Sequence, residues 1–184
     1  MLKYMLLGFL NYRPMSGYDL EGWIEVSTGH FWHAKLSQIY VTLKKMEDEG
    51  LVHSEIEPQA GRPDRRVYSV TEAGRAELRH WLITPLVEPE MKKDSLLLKL
   101  FFGLPAGKTA LLTQLRLQLE LHNQQKIIYQ QQTPQEMLKF LADQPELTEH
   151  ALLWEMTRRY GEMYEDTYME WLEETIRRVE NLPD

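Results

Sequence analysis

A helical segment between residues 36 and 47 carries the side chains best suited to chemistry in this chain of 184 residues. At 100° per residue its inner face is apolar, with Leu36, Ile39, Leu43 and Met46. Its outer face combines hydrogen-bonding groups, one apolar group and two cations, in Ser37, Gln38, Val41, Thr42, Lys44 and Lys45, with Tyr40 at the margin. Amides and hydroxyls pair with base edges, a valine can contact a thymine methyl group, and lysines reach phosphate or guanine. The outer face therefore predicts contact with the major groove of double-stranded DNA, although an ordinary solvated helix is the simpler interpretation of this segment alone.

The elements on either side of this segment favour the DNA interpretation. An apolar first helix is followed by a second that begins at Ser16, which forms a predicted capping box with Asp19. Gly50 suits the left-handed position that ends the third helix. A two-stranded hairpin comes next, with Val52 and Ile56 on one side of its first strand and with a tip that carries Arg62, Arg65 and Arg66.

A fourth helix completes this part of the chain. It has Thr71 as its predicted N-cap, places Leu78, Trp81 and Leu82 on one face, and stops at Pro85. The order of three helices, a hairpin and a helix is that of a winged helix-turn-helix, whose third helix enters the major groove and whose wing contacts the backbone or the minor groove. We therefore predict a winged helix-turn-helix DNA-binding domain over residues 1–85.

Residues 86–184 are predicted to be helical throughout. A short helix ends at Gly103, a long helix ends before Thr133 and Pro134, a connector helix follows, and a last long helix runs from 146 to about 180. The long helices carry apolar residues on more than one face, which a monomer of this size cannot bury. We therefore predict a mainly α protein that forms a homodimer, with residues 86–184 as a helical dimerisation domain.

The charge is unevenly distributed along the chain, which has a formal net charge of -7. Residues 1–85 contain ten Lys and Arg against eleven Asp and Glu, so most of the acidity is C-terminal. The basic residues of the first part are concentrated in the third helix and the hairpin tip, which suits a DNA partner. The chain has no cysteine, hence no disulfide framework, and no apolar stretch long enough for a membrane span. We expect a cytoplasmic protein with no membrane partner.

Enzymatic chemistry has no support in the sequence. His30 and His33 have a spacing that could ligate a metal, but no third ligand completes the site. The segment "GLPAGKT" lacks the first glycine and the preceding strand of a phosphate-binding loop. We expect no catalytic residue, no metal and no cofactor.

Aromatic and methionine side chains are concentrated in the last long helix. They include Trp154 and Tyr160, and either a pocket for a planar ligand or the core of a dimer would need such residues. The dimer core is the simpler interpretation of any single residue. Trp81 is a further candidate for effector binding.

Three stretches of the sequence carry a resemblance to a known family. They are "MSGYDL", "SQIYVTLKKMEDEGLV" and "GRPDRRVYSVTEAGRAELRHWL", and "LLLKLFF" and "MEWLEETI" extend the similarity into the C-terminal half. With these residues the chain resembles the PadR family of transcriptional regulators, in particular its larger subclass with a helical dimerisation domain.

The resemblance implies a homodimeric repressor that binds DNA through paired winged helices and is often released by phenolic acids or planar cationic drugs. It places Ser37, Gln38, Tyr40, Thr42 and Lys45 along the DNA, and Arg62, Arg65 and Arg66 in the wing. The family commonly has proline where this chain has Val41, so the base preference at that contact is open.

Two classes of function remain to be distinguished. One is a transcriptional regulator that binds an inverted-repeat operator as a dimer, with half-sites about 34 to 36 Å apart. The other is a winged-helix module that binds another protein and has no specific affinity for DNA. Salt-dependent binding to a duplex separates them, because each lysine or arginine on phosphate releases counterions.

Overall fold

The computed structural model describes residues 1–28, 31–59, 61, 64–89 and 93–182. The chain divides into two compact units, Met1–Glu88 and Pro89–Asp184, each of which has its own hydrophobic core. The described helices include none that is long and apolar enough to cross a membrane.

The first unit is built from four helices and a small antiparallel sheet. Its elements are α1 (Leu2–Tyr12), β1 (Met15–Ser16), α2 (Gly17–Ser27), α3 (Leu36–Asp48), β2 (Val52–Glu57), β3 (Arg65–Val70) and α4 (Glu72–Ile83). The strand order is β1-β3-β2, with Met15 opposite Tyr68 and Val52 opposite Val70. The predicted order of helices and hairpin is confirmed. Strand β1 was not predicted, because two residues that follow a proline carry no alternating pattern.

The ends of the helices follow the predicted capping chemistry. The Ser16 hydroxyl accepts from the Asp19 backbone N–H, and the Asp19 carboxylate accepts from the Ser16 N–H. Gly50 has a φ of 71°, and the Leu51 N–H donates to the Met46 carbonyl at 2.9 Å, which closes α3 with a Schellman motif. The exit of α3 into β2 is therefore fixed by the backbone itself.

The core of the first unit gathers side chains from all four helices and the sheet. It includes Leu6, Leu7 and Leu10 of α1, Leu20 and Ile24 of α2, Ile39, Leu43 and Met46 of α3, and Leu78 of α4. Leu82 was predicted on the same face as Leu78, yet it is 65% exposed, because the last turn of α4 extends beyond this core. Ile56 is also exposed, near the outer end of β2.

The second unit is entirely helical in the part that the structure describes. It contains α5 (Ser95–Phe101), a 3-10 turn (Leu104–Ala106), α6 (Lys108–Ile127), α7 (Thr133–Asp143), a second 3-10 turn (Pro145–His150) and α8 (Ala151–Glu180). Its core joins α6 to α8 through Leu111, Leu115, Leu172, Ile176 and Val179.

Two boundaries in this unit differ from the prediction. The long helix does not stop before Thr133, because a π-helical turn (Ile128–Gln132) carries the chain directly into α7. Pro134 lies in the first turn of α7, where a proline is well tolerated. The last helix starts at Ala151 rather than at 146, since Pro145–His150 forms a 3-10 turn.

A buried carboxylate joins the middle of α8 to the π-helical turn. Glu162 accepts hydrogen bonds from Gln130 at 2.9 Å and from Arg159 at 2.7 Å, and it pairs with Arg158 at 3.3 Å. The hydrogen bonds from Gln130 and Arg159 lower the pKa of Glu162 to about 2, against the opposing effect of burial. Arg158 also donates to the Tyr129 carbonyl at 2.9 Å, so the network connects side chains to the backbone of the turn.

The close approach of α4 to Leu51, in the turn between α3 and β2, predicts a steric constraint at Gly74. A Cβ at this position would lie 2.1 Å from the Leu51 carbonyl oxygen. Gly74→Ala should therefore lower the free energy of unfolding by about 1 to 3 kcal/mol. Gly22→Ala is the matched control, because a Cβ there meets no atom within 4 Å; it should raise stability by about 0.5 to 1 kcal/mol. Urea denaturation of both variants measures the difference, and equal stabilities would contradict the contact.

The Glu162 network predicts a loss of stability in acid. A depressed pKa contributes stability above the ordinary value of 4.5, and this contribution is lost as the pH falls from about 4.5 towards about 2. Glu162→Gln cannot ionise, so the gap in melting temperature between it and the unsubstituted protein should be largest at neutral pH and shrink across this window. A gap that stays constant from pH 7 to pH 2 would contradict the network.

Candidate nucleic-acid interface

The inner side of α3 is anchored at both ends and along its length. Ile39, Leu43 and Met46 are at most 1% exposed. At the start of the helix, the Leu36 N–H donates to the Glu21 carboxylate of α2 at 3.1 Å. This bond satisfies a backbone donor that has no partner within its own helix, and it fixes where α3 starts relative to α2.

The outer side of α3 is open to solvent, as the helical pattern predicted. Val41 is 71% exposed and the Lys45 side chain 77%, and Ser37, Gln38 and Lys44 are exposed as well. Lys45 lies 3.8 Å from Glu49, a loose pair that leaves its ammonium group accessible. The face therefore presents donors, cations and one apolar side chain together.

Two polar side chains on this face are partly engaged with the helix itself. Gln38 accepts from the Lys35 backbone N–H at 3.1 Å through its amide oxygen. Thr42 is half-buried and donates to the Gln38 carbonyl at 2.7 Å. The amide oxygen has a second lone pair and the amide nitrogen can donate, so Gln38 can still pair with a base edge.

Tyr40 occupies a different environment from the rest of the predicted face. It is half-buried, its ring lies edge-on to Tyr18 with centroids 6.3 Å apart, and a Cβ at Gly17 would lie 2.6 Å from the ring. Burial raises the pKa of Tyr40. The ring thus separates α2 from α3, while the Tyr18 ring beside it is 68% exposed on the first turn of α2. The sequence analysis did not single out Tyr18, because no similar residue of α2 forms a pattern with it.

The wing arginines differ in their surroundings. Arg65 pairs with Asp19, whose carboxylate also accepts from the Ser16 N–H in the capping box of α2. Arg66 is half-exposed and lies 3.8 Å from Glu47 of α3, whose other oxygen accepts from the Ser54 hydroxyl at 2.5 Å. Arg62 lies outside the described residues.

The pair between Arg65 and Asp19 ties the wing to the second helix. Burial would raise the pKa of Asp19, but the hydrogen bonds from Ser16 and Arg65 outweigh it and lower that pKa. Since the two residues are 46 positions apart, no local pattern could have predicted their contact.

The three candidate effector residues are divided between the two units, and each has different surroundings. Trp81, in the first unit, stacks on Tyr4 with ring centroids 4.7 Å apart and an interplanar angle of 7°. Trp154, in the second unit, packs against Phe140 and His150 at centroid distances of 5.4 and 6.0 Å. Tyr160 is exposed on α8.

A depression in the second unit lies beside other aromatic residues of α8. It has a volume of about 370 Å³ and is lined by Lys93, Asp94, Ser95, Leu96, Lys99, Gln114, Leu117, Gln118, His122, Tyr164 and Tyr168. A pocket was one of two interpretations of the aromatic residues in the last helix, and the helical pattern could not distinguish Tyr164 and Tyr168 from Trp154 and Tyr160.

No cluster of three or more potential metal ligands occurs among the residues that the structure describes. His33 is exposed, and His30 lies outside the described ranges.

Comparison with family models divides the chain in two. Residues 6–80 match the model described as the transcriptional regulator PadR-like family, and residues 92–180 match the model described as virulence activator alpha C-term. The first match contains the whole of α3 and the wing.

Two relatives illustrate the similarity. A segment of 101 residues, 55% of this chain, is 41% identical to the negative transcriptional regulator PadR of Bacillus subtilis. That segment covers 56% of the relative, so the sequence match spans about half of its length; a match to a probable transcriptional regulator of Mycobacterium tuberculosis covers 45% of that protein.

The similarity of the folds covers nearly the whole chain. The crystal structure of Bacillus subtilis PadR with operator DNA has a TM-score of 0.80 and 30% identity, over 97% of each chain. The same regulator with p-coumaric acid has a TM-score of 0.69 and 28% identity, over 98% of this chain and 96% of that one. The Vibrio cholerae virulence activator AphA has a TM-score of 0.74 and 26% identity, over 98% of each chain.

These matches confirm the expected fold class, a winged helix-turn-helix followed by C-terminal helices. By the two matched models and by a structural relative that is aligned along nearly its full length, the chain belongs to the PadR-like family of transcriptional regulators.

Proposed function

We propose that this protein is a DNA-binding transcriptional repressor that recognises an inverted-repeat operator as a homodimer. The observation that carries the proposal is the exposed face of α3, which offers Val41, Lys44 and Lys45 to solvent on a fold whose relative was crystallised on operator DNA. A duplex selected from a random pool should contain an inverted repeat with half-sites about 34 to 36 Å apart. Failure to enrich any sequence, with no duplex binding, would favour the protein-interaction module instead.

The side chains on the outer face of α3 have different proposed roles in DNA binding. Lys44 and Lys45 neutralise phosphates, which supplies affinity but no sequence preference. Ser37, Gln38 and Thr42 offer hydrogen bonds to base edges, and Val41 offers its methyl groups to a thymine. Arg66 and Arg62 of the wing add cationic contacts to the backbone or minor groove.

Two residues of the predicted site are better suited to positioning than to contact with DNA. Tyr40 holds α3 against α2, and Arg65 holds the wing against α2 through Asp19. These two contacts with α2 fix the distance between α3 and the wing. We propose that both act on DNA affinity through this arrangement.

The second unit supports the proposed homodimer. It exposes many large apolar side chains for a domain of its size: Leu97, Leu98, Phe101, Phe102, Leu117, Leu121, Leu138, Leu152, Leu153, Met156 and Met163. Large exposed apolar patches mark interaction surfaces, and a second copy would bury the same surface on both chains. We propose residues 1–85 as the DNA-binding domain and residues 86–184 as the dimerisation and effector domain, in a protein that acts in the cytoplasm.

A small aromatic effector completes the proposed function. Bacillus subtilis PadR was crystallised with p-coumaric acid, and a ligand of this kind can release DNA only if it binds two shapes of the dimer with different affinity. We propose that the effector changes the distance between the α3 helices of the two protomers.

The two lysines of α3 predict the salt dependence of binding. Lys44→Ala and Lys45→Ala should each weaken binding to a selected duplex and reduce the slope of log affinity against log salt by about 0.9. Lys139→Ala is the control, because this exposed lysine lies on α7 of the second unit and should leave the slope unchanged. Fluorescence anisotropy at several salt concentrations measures it, and unchanged slopes in both α3 variants would contradict the assignment.

Substitution of the two wing arginines should have different effects, on DNA binding for Arg66 and on stability for Arg65. Arg66→Ala should lower the salt slope by about one, as expected for a lost phosphate contact. Arg65→Ala should instead lower stability, and a double-mutant cycle with Asp19→Asn should give a coupling of about 0.5 to 1 kcal/mol in the free energy of unfolding. Additive effects of the two substitutions would show that the pair does not hold the wing.

A further inference from the structure

Three side chains connect the end of α3 to the two strands of the wing. One carboxylate oxygen of Glu47, in the last turn of α3, lies 3.8 Å from Arg66 of β3, and the other accepts from the Ser54 hydroxyl of β2 at 2.5 Å. We propose that Glu47 is a positioning residue, which fixes the Arg66 guanidinium relative to α3 and thereby favours the operator over other DNA. This inference rests on the proposed DNA-binding function and assigns part of its specificity to a residue that contacts no base.

The position of Glu47 within its own helix is unfavourable for a carboxylate. The last turn of a helix carries the negative end of the helix dipole, which favours lysine or arginine there. Lys45 follows this rule and Glu47 does not. The hairpin supplies the cation and the hydrogen-bond donor that the end of the helix lacks. The contacts of Glu47 with Arg66 and Ser54 therefore join two elements rather than stabilise α3 alone.

The register of the hairpin places both partners of Glu47 on the side that faces the helices. Ser54 lies opposite Tyr68, which is 3% exposed and belongs to the core. Alternate residues of a strand point to the same side, so Arg66 shares the side of Tyr68, while Arg65 points to the other side. Neighbouring arginines of β3 are thus held by different helices, Arg65 by α2 and Arg66 by α3.

Arg66 is oriented by Glu47 and still has donors for a phosphate. A separation of 3.8 Å between nitrogen and oxygen is within the range of an ion pair but too long for a hydrogen bond. The guanidinium has five N–H donors, and the Arg66 side chain is 51% exposed. The Ser54 hydroxyl fixes the carboxylate, so the guanidinium is attracted to a defined point beside α3. Its outer N–H groups can bind a phosphate oxygen from this position.

Two opposing effects of the Glu47 carboxylate decide the sign of its contribution. It repels phosphates, but the guanidinium lies between them, and exposed charges are largely screened beyond a Debye length of about 8 to 10 Å. Holding a long side chain in place before binding avoids an ordering cost that corresponds to about three- to tenfold in affinity. Positioning therefore outweighs repulsion.

A fixed arginine distinguishes the operator from other DNA. When α3 occupies the major groove of the operator, the neighbouring phosphates lie at a defined distance from this helix, and a guanidinium held beside α3 meets one of them without being reordered. On other sequences the protein is held by phosphate contacts alone and binds in varied positions, where a mobile arginine serves equally well. Loss of Glu47 should therefore weaken binding to the operator and leave binding to other DNA nearly unchanged.

Fluorescence anisotropy with the full-length protein tests this inference. Each variant is titrated against the selected operator duplex and against a scrambled duplex of equal length, and the ratio of the two affinities is taken from one sample, so that an unfolded fraction cancels. Glu47→Gln should lower this ratio about three- to tenfold, through weaker binding to the operator.

Asp48→Asn is the matched control for the change in charge. It removes one negative charge from the same turn of α3, and Asp48 is exposed and is not the carboxylate that pairs with Arg66. The ratio should stay within about twofold of that of the unsubstituted protein, since screening limits the effect of an exposed charge. An unchanged ratio in Glu47→Gln, or an equal fall in both variants, would overturn the inference.

Ser54→Ala tests positioning with every charge kept. Without the hydroxyl the Glu47 carboxylate is no longer fixed, so the ratio should fall at least about twofold, as for the loss of one hydrogen bond. Ser69→Ala is the control, because Ser69 lies opposite His53 and points to the other side of β3 from Arg66. A ratio in Ser54→Ala equal to that in Ser69→Ala would show that Glu47 acts by its charge alone, which would overturn the positioning role.

Arg66→Ala separates this inference from the DNA-binding proposal. In the Arg66→Ala background, Glu47→Gln should leave the ratio unchanged, because no guanidinium remains to be positioned. If Arg66→Ala alone changes neither the salt slope nor the ratio, the wing contact is wrong and the inference is overturned with it. If Arg66→Ala changes both and Glu47→Gln behaves like Asp48→Asn, the DNA-binding proposal stands and the positioning role alone is overturned.

Discussion

The burial of one side of α3 is the constraint on which the proposed DNA-binding surface depends. Ile39, Leu43 and Met46 are almost completely buried, and each contributes about 1.5 to 3 kcal/mol relative to an exposed position. Rotating the helix would expose them at a cost of several kcal/mol, which exceeds the contribution of a single exposed ionic contact. The core of the protein, rather than the DNA, therefore decides that Val41 and Lys45 point outward. The backbone of α3 is thus held in place without DNA, so the proposed binding would require no free energy to order this helix.

Three acidic residues near this surface have structural roles that make them compatible with the proposed DNA partner. Glu21 caps α3, Glu47 is held by Ser54 and Arg66, and Asp19 caps α2 while pairing with Arg65. Each of these three carboxylates is bound to donors of the protein. Glu49 lies 3.8 Å from Lys45, and both lysines of α3 are exposed to solvent. The near-neutral total charge of the first 85 residues thus conceals a face that is cationic.

Features with a local cause could be predicted from the sequence. The helical period gave the inner and outer faces of α3, and the types of residue at its ends gave the caps at Ser16, Gly50 and Thr71. Features that depend on tertiary contacts could not be predicted from the sequence. Strand β1 is too short to show a pattern, and the contact of Arg65 with Asp19 joins distant positions. In the second unit, the packing of α6 on α8 decides which of many similar aromatic residues line a depression, and periodicity does not contain that information.

We infer that the outer side of α3 lies against paired bases when the protein binds DNA. The most direct test is a methyl NMR spectrum of the isotope-labelled protein during titration with a selected operator duplex. We expect the Val41 methyl signals to shift more than those of Val52 or Val70, which are buried in the same unit, and to show intermolecular contacts to a thymine methyl group. Val41 signals that remain unchanged when the operator is saturated would contradict it.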